Sequence, residues 1–208
     1  KQIGFIIVID TDGRFVRIED CRIDKNTAKT FLVKKSVGRS SAISPNYLYD
    51  NSSYVFGYSD KDSSKDEERF EAFKSKVMSI SENFSSNMEM KCLVSFYQQT
   101  KEEILSAIEN DPLWDDIRKN LSKKFSFFSF RLQGDSKIFA EKKELLPSET
   151  EQDSNTNEGI CLITGEHGPI VETTTATSIQ GSQAVAKLVS FQVNSGYDSY
   201  GKEKGGNA

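Results

Sequence analysis

The chain has few of the side chains that most often bind metals or carry covalent chemistry. Its 208 residues include three cysteines and one histidine. Cys21, Cys92 and Cys161 form no Cys-x-x-Cys pair, and only His167 could complete a site, so a structural zinc site is not expected. An odd number of widely separated cysteines also argues against a disulfide framework. It fits a reducing, cytoplasmic environment in which thiols are buried as small apolar groups.

Long apolar runs are also missing. No run approaches the roughly 20 residues that a membrane-spanning helix needs, and the first run, Ile3–Ile9, lacks the charged leader and cleavage site of a signal peptide. We therefore expect no membrane contact. The chain opens on Lys1 and closes in the glycine-rich segment Gly201–Ala208, which leads us to expect the N-terminal fragment of a longer protein. Its 14 Phe and 7 Tyr predict a packed core.

The net charge of −4 taken alone argues against a nucleic-acid-binding protein. The charge is unevenly distributed, however, and two segments are locally basic. Residues 21–39 carry six basic side chains against Asp24, and residues 117–143 carry eight against two acids. Residues 58–116 and 144–172 are acidic. A protein that contacts a nucleic-acid backbone needs a local positive surface, although charge alone fits solvated faces equally well or better.

Apolar periodicity predicts an α+β fold with mixed, mostly antiparallel sheets formed from both ends of the chain and a central helical block. The predicted main region, residues 1–145, divides into strands within 3–58, helices within 65–121 and strands within 125–140. Four finer predictions are a hairpin over 3–19, strands over 30–34 and 54–57, and a return strand over 136–140. Residues 146–158 are predicted to be an acidic linker, and residues 159–208 a second β-rich segment that packs on the first, with strands over 160–163 and 186–191.

One motif suggests catalysis. Asp10-Thr11-Asp12-Gly13 follows an apolar strand, as in the haloacid-dehalogenase phosphatases, where one aspartate attacks phosphorus and the next acts as acid and base. That motif requires the chain to pass from a strand into a helix. In Arg14–Glu19, however, polar and apolar residues alternate, as in a second strand that pairs with the first. A hairpin turn is the preferred interpretation, because Asp-Gly is a common turn sequence. The alternative is a magnesium-dependent phosphatase.

Other catalytic patterns are weak. The chain has no Gly-x-x-x-x-Gly-Lys-Ser/Thr loop for a nucleotide. His167 lies between glycines in a predicted turn, and the acidic residues Asp66–Glu68 suit the first turn of a helix. Asp115 and Asp116 also fall in a predicted helix. We therefore expect no enzymatic activity and no cofactor.

Two segments combine cations with hydroxyl and amide side chains. Lysine and arginine neutralise phosphates, and asparagine can hydrogen-bond base edges. The first segment, residues 34–51, contains Lys34, Lys35, Arg39, Ser40, Asn46 and Asn51. The second, residues 178–202, contains Gln183, Lys187, Tyr200 and Lys202. Ordinary loop chemistry explains either segment equally well, and Asn46 and Asn51 are equally suited to capping turns.

The order of several motifs carries a family resemblance. A strand ending in Asp-x-Asp-Gly is followed by Phe-Leu-Val-x-Lys at 31–35, and then by Arg-Ser-Ser-x-Ile-x-Pro-Asn-x-Leu-x-Asp-Asn-x-x-Tyr-Val-x-Gly at 39–57. Later come Cys-Leu-Ile-Thr-Gly-Glu at 161–166, Gly-Ser-Gln at 181–183 and Tyr-x-Ser-Tyr-Gly-Lys-Glu-Lys-Gly-Gly-Asn at 197–207. The chain resembles the N-terminal portion of the large subunit of the subtype I-C CRISPR Cascade complex.

This resemblance implies a non-catalytic subunit that helps to recognise the protospacer-adjacent motif in double-stranded target DNA, while crRNA pairing reads the remaining sequence. The implied partners are the crRNA-containing complex, its backbone and crRNA-processing subunits, and a helicase-nuclease recruited after DNA binding. Carried onto this chain, the resemblance implies phosphate contacts by Lys34, Lys35 and Arg39. It implies phosphate or base contacts by Ser40, Asn46 and Asn51, with Gln183, Lys187, Tyr200 and Lys202 in a secondary group. The alternative is a protein–protein assembly module without direct DNA contact.

Overall fold

The computed structural model describes residues 1–39, 43–60, 64–146, 157–160 and 165–170. The chain divides into two compact units, Lys1–Leu146 and Pro147–Ala208. In the first unit the elements follow the order β1 (Phe5–Ile9), β2 (Phe15–Asp20), β3 (Tyr49–Asp50), α1 (Ser52–Val55), α2 (Asp66–Asn83), α3 (Met88–Gln98), α4 (Lys101–Glu109), α5 (Trp114–Arg118) and β4 (Phe128–Leu132), with two 3₁₀ turns at Phe139–Glu141 and Lys143–Leu145. The predicted α+β class is confirmed.

The four strands of this unit form one mixed sheet in the order β2-β1-β4-β3. β1 is antiparallel to β2 and parallel to β4, and β3 is antiparallel to β4. All five residues of β1 are buried, as expected for a strand that has a neighbour on both edges and is covered on both faces. This explains why its sequence is uniformly apolar instead of alternating.

The helices cover one face of the sheet through aromatic side chains. Phe130 of β4 lies 5.5 Å from Phe96 and 5.8 Å from Tyr97 of α3, and 6.5 Å from Phe73 of α2, measured between ring centroids. Two residues earlier, and therefore on the same face of β4, Phe128 contacts Phe56 at 5.0 Å. The apolar stripe predicted for α2 is buried as expected, and it consists of Phe70, Phe73, Val77 and Ile80.

The predicted hairpin over residues 3–19 is confirmed by the antiparallel pair β1 and β2. Asp10 Oδ1 accepts hydrogen bonds from the backbone N–H groups of Asp12 at 2.9 Å and Arg14 at 2.8 Å. Gly13 adopts a φ of +78°. A Cβ atom there would lie 2.5 Å from the carbonyl oxygen of Cys92 in α3. Glycine is therefore required both by the turn and by its closeness to the helix.

The strand predicted at 30–34 is wrong. Outside the named strands, the described residues of this segment make one β-bridge, between Gln2 and Thr30. The start of the segment bonds the residues before β1, since Phe31 N–H donates to the Lys1 carbonyl oxygen at 2.9 Å and Ile3 N–H donates to the Lys29 carbonyl oxygen at 3.1 Å. The backbone N–H of Leu32 instead donates to a carboxylate oxygen of Glu141 at 3.0 Å.

The strand predicted at 54–57 is also wrong. Asn51 accepts a hydrogen bond from Tyr54 N–H and begins the short helix α1, and Gly57 follows that helix with a φ of +67°. This local capping overrides the β propensity of Tyr54 and Val55. The strand in this region is Tyr49–Asp50, just before the cap.

The predicted return strand over 136–140 is absent. The Asp135 carboxylate accepts hydrogen bonds from Ser136 N–H and from Lys142 Nζ. The chain then continues into the 3₁₀ turn at Phe139–Glu141 instead of a strand.

The described part of the second unit is an antiparallel pair, β5 (Asn157–Ile160) and β6 (His167–Ile170). Asn157 and Glu158, predicted as linker, belong to β5, and of the strand predicted at 160–163 only Ile160 lies within the described residues. His167, predicted in a turn, is an exposed residue of β6. The strand predicted at 186–191 lies outside the described residues.

Candidate nucleic-acid interface

The segment before β3 adopts a strained turn. Leu48 has a φ of 57° and is fully buried. A left-handed conformation costs a residue with a side chain about 1–2 kcal/mol. The surroundings hold it there, because Ser129 Oγ donates to the Leu48 carbonyl oxygen at 2.9 Å. Strain that a fold maintains in this way often marks a functional segment.

A buried carboxylate organises this turn. Asp50 is 0% exposed and receives both terminal nitrogens of the Arg39 guanidinium, with Nη1 at 3.0 Å from Oδ1. The same carboxylate accepts hydrogen bonds from two backbone N–H groups, those of Asn46 and Asn51, each at 2.8 Å. Arg39 also donates from Nε to the Ser44 carbonyl oxygen at 2.7 Å and lies 4.1 Å from the Tyr54 ring. Asp50 and Arg39 together fix the positions of Ser44, Asn46 and Asn51 relative to one another.

The two asparagines predicted to contact DNA have roles inside this loop. Asn46 is 1% exposed, and its Oδ1 accepts the backbone N–H of Val37 at 2.8 Å. Asn51 Oδ1 accepts Tyr54 N–H at 3.4 Å, as the N-cap of α1. Both asparagines therefore make the capping interactions that were the alternative interpretation of the sequence. Direct DNA contact by either one stays a prediction.

Lys34 and Lys35 are exposed, as a phosphate-binding role requires. Lys34 Nζ lies 5.1 Å from the centroid of the Tyr47 ring, and the Lys34 carbonyl oxygen accepts the hydroxyl of Tyr49 at 2.8 Å. In the part of the chain that the structure describes, neither lysine forms an ion pair with a carboxylate. Both positive charges are therefore available to a ligand.

Two further cations lie beside this turn, and sequence reasoning missed both. Lys76 of α2 donates from Nζ to the Pro45 carbonyl oxygen at 3.0 Å. Burial lowers the pKa of Lys76, and the positive charges of Lys34 and Arg39 lower that pKa further, although Asp50 opposes the effect. Lys1 Nζ lies 3.9 Å from the Phe127 ring centroid, and burial lowers the pKa of Lys1, although the charge of Asp50 opposes this effect.

A signal for Lys76 was present in the sequence. It lies three residues after Phe73 and one before Val77, at the border of the apolar stripe of α2. A lysine at such a position extends its aliphatic chain along the buried face and places its ammonium group at the neighbouring element. Which element that is depends on the tertiary fold.

In the second basic segment, residues 117–143, three of the eight basic side chains form ion pairs within the described residues. Arg118 pairs with Asp115, Arg131 with Glu19, and the buried Lys142 with both Glu89 and Asp135. Glu19 and Glu89 are remote from this segment in the sequence. Folding therefore neutralises part of this segment, while five exposed lysines form no ion pair among the described residues: Lys119, Lys123, Lys124, Lys137 and Lys143.

The remaining predicted site residues, Ser40, Gln183, Lys187, Tyr200 and Lys202, lie outside the described residues. Their contacts with DNA stay predictions.

The carboxylates considered for catalysis have structural partners. Asp10 closes the hairpin turn, and residues 15–20 return as β2 instead of entering a helix, so the strand-to-helix passage of the phosphatase motif is absent. Asp115 and Asp116 pair with Arg118 and Arg22, respectively. Within the described ranges, no group of three or more His, Cys, Asp or Glu side chains is placed to hold a metal ion.

No helix among the described residues combines the length and the apolar character needed to cross a bilayer.

Comparison with curated proteins finds no significant match. The family described as "CRISPR-associated protein (Cas_Csd1)" matches residues 1–208, which is the whole chain. The protein belongs to this family of CRISPR-associated proteins.

Proposed function

We propose that this chain is a non-catalytic part of the large subunit of a type I-C CRISPR interference complex, and that it binds target DNA next to the protospacer-adjacent motif. Family membership supports a role in CRISPR defence. The observation that carries the DNA-binding part is the exposed pair Lys34 and Lys35, whose backbone is held by the buried Tyr49, since its hydroxyl donates to the Lys34 carbonyl oxygen at 2.8 Å. A preorganised positive loop suits a DNA backbone, because no ordering of the loop opposes binding.

In this proposal the chain acts within an assembly that contains crRNA, the backbone subunits and the crRNA-processing subunit. The large subunit contacts the DNA duplex, crRNA pairing reads the target strand, and a recruited helicase-nuclease cuts the DNA. The protein's own residues then need to hold and orient DNA, and no cofactor is needed for that task.

The test is DNA binding by the reconstituted complex with Lys34→Glu and Lys35→Glu combined. Arg39 is left intact, because its reversal would place two carboxylates together and disrupt the loop. We expect the double variant to lose affinity by on the order of a hundredfold near 0.1 M salt, with a shallower dependence of log affinity on log salt. The matched control reverses Lys119 and Lys124, two exposed lysines of the second basic segment.

If the double variant binds target DNA as tightly as the wild type, the DNA-binding proposal is wrong. An assembly module is the second candidate, because Ile23 and Leu32 are 74% and 86% exposed close to this loop in the sequence. Loss of the partner subunits on purification, with unchanged affinity for DNA in the complexes that do assemble, would favour that candidate.

A further inference from the structure

Three cationic side chains converge on the four residues Ser44–Tyr47. Arg39 Nε donates to the Ser44 carbonyl oxygen at 2.7 Å, and Lys76 Nζ donates to the Pro45 carbonyl oxygen at 3.0 Å. Lys34 Nζ lies 5.1 Å from the Tyr47 ring. Lys34 and Arg39 come from the extended segment before the turn, whereas Lys76 comes from α2. The convergence is therefore a product of the tertiary fold.

The charges of this cluster are not balanced. Arg39 is matched by the carboxylate of Asp50, which is fully buried and forms two hydrogen bonds with the guanidinium. Within the described residues, Lys34 and Lys76 form no ion pair with a carboxylate. Burial lowers the pKa of Lys76, and the positive charge of Lys34 lowers that pKa further, while Asp50 opposes the effect. An anion between the two lysines would relieve this repulsion.

We propose that Lys34 and Lys76 form a binding site for one phosphate of the target DNA backbone, and that Arg39 positions the loop without contacting DNA. The proposal rests on the proposed function and adds the class of contact and a residue from a second element. Ammonium groups act on phosphate as point charges and read no base, whereas a guanidinium already bonded to a carboxylate has few donors left. The contact is therefore independent of DNA sequence.

A sequence-independent contact has a characteristic signature. Each phosphate contact adds about 0.9 to the slope of log affinity against log salt. Loss of one contact lowers that slope by about this amount and weakens binding by on the order of tenfold near 0.1 M salt. Duplexes with and without the adjacent motif should weaken by the same factor, because phosphates carry no base identity.

The experiment compares Lys76→Met and Lys34→Met complexes on a duplex that carries the motif and on one in which it is scrambled. We expect both variants to show the same fold-loss on the two duplexes and a slope lower by about one. Lys76→Arg keeps the charge and should retain the wild-type slope. Lys74→Met is the matched control, since residue 74 lies about 200° around the helix from residue 76 and its Nζ lies 6.0 Å from the Phe70 ring. Thermal melting of each variant verifies that it is folded.

Three outcomes would overturn the proposed phosphate-binding site. One is an unchanged slope in folded Lys76→Met, and another is a larger loss on the motif-bearing duplex, which would make Lys76 a base reader. The third is loss of bound crRNA with unchanged DNA affinity, which would assign the phosphate to crRNA. If Lys76→Met has no effect while charge reversal at Lys34 and Lys35 weakens DNA binding, the proposed phosphate-binding site is wrong but the proposed function stands. If neither change affects DNA affinity, both are wrong.

Discussion

At the scale of single residues, Asp50 determines the shape of the candidate interface. Its carboxylate receives the Arg39 guanidinium and the backbone N–H groups of Asn46 and Asn51. Residues 39, 46, 50 and 51 belong to one motif of the resemblance, which implied that Arg39, Asn46 and Asn51 contact DNA. The structure instead shows that Asp50 connects these three residues to one another.

We expect Asp50→Asn to lower the free energy of unfolding by about 3–5 kcal/mol, the usual cost of breaking a buried ion pair by neutralising one partner. The substitution keeps the size of the side chain but replaces an acceptor with a donor that faces other donors. Urea unfolding followed by circular dichroism measures the change. Asp60→Asn, at an exposed position, serves as the control and should stay within about 0.5 kcal/mol of the wild type. Equal stability of the two variants would contradict the central role of Asp50.

At the scale of elements, the hairpin β1–β2 and the helix α3 meet at Gly13. A Cβ atom at this position would lie 2.5 Å from Cys92 O and 2.7 Å from Phe96 N, and φ is +78°. Gly134 has a similar φ of +87°, but no atom lies within 4 Å of the corresponding Cβ position. The two glycines therefore separate the cost of an unfavourable backbone conformation from the cost of steric overlap.

We expect Gly134→Ala to destabilise the protein by about 1 kcal/mol through the backbone alone. Gly13→Ala should cost about 2–4 kcal/mol, because overlap with the backbone of α3 adds to the same backbone strain. Both values come from urea unfolding under identical conditions. If the two substitutions cost the same, the close packing of the hairpin turn on α3 is disproved.

Elements whose signal is local were predicted correctly. The helix stripe at Phe70, Phe73, Val77 and Ile80 and the Asp-Gly turn of the hairpin each depend on neighbours within a few residues of the chain. The strand predicted at 30–34 failed for a non-local reason, because the backbone of this segment bonds Lys1, before β1, and the distant side chain of Glu141. Periodicity shows which face of a segment is buried, but it does not show which distant groups its backbone will bond.

At the scale of the whole molecule, folding redistributes charge. The acidic and basic segments that alternate along the sequence pair with each other, and Lys142 is the clearest case. Its ammonium group is buried and bonds both Glu89 of α3 and Asp135 after β4. The hydrogen bond from Lys142 lowers the pKa of Asp135. Burial alone would raise the pKa of Glu89, but hydrogen bonds, led by that from Lys142, bring it below its ordinary value.

These lowered pKa values make stability depend on pH. A carboxylate with a lower pKa in the folded state binds fewer protons there than in the unfolded chain, so its stabilising effect is complete above the unfolded pKa of about 4. This stabilisation is lost as pH falls through the folded pKa. We expect the wild type to lose stability as pH falls below about 5.

Lys142→Met should lower the free energy of unfolding at pH 7 by about 2–3 kcal/mol, since it leaves two carboxylates together without their cation. The variant should lose less stability on acidification than the wild type, because protonation relieves the repulsion. Urea unfolding at several pH values tests this, with Lys143→Met, at an exposed position, as the control. Parallel pH profiles of the wild type and Lys142→Met would contradict the explanation.

The sequence by itself determined the α+β class, the hairpin, the amphipathic helices and the exposed lysines at 34 and 35, because each depends on the properties of nearby residues. Only the tertiary structure decided that Arg39 would be bonded to Asp50, that Asn46 would be buried, and that Lys76 would join Lys34 beside the same turn. The physical reason is that charge pairing and burial depend on distance in space. Helix α2 brings Lys76 next to Pro45 although 31 residues separate them in the chain.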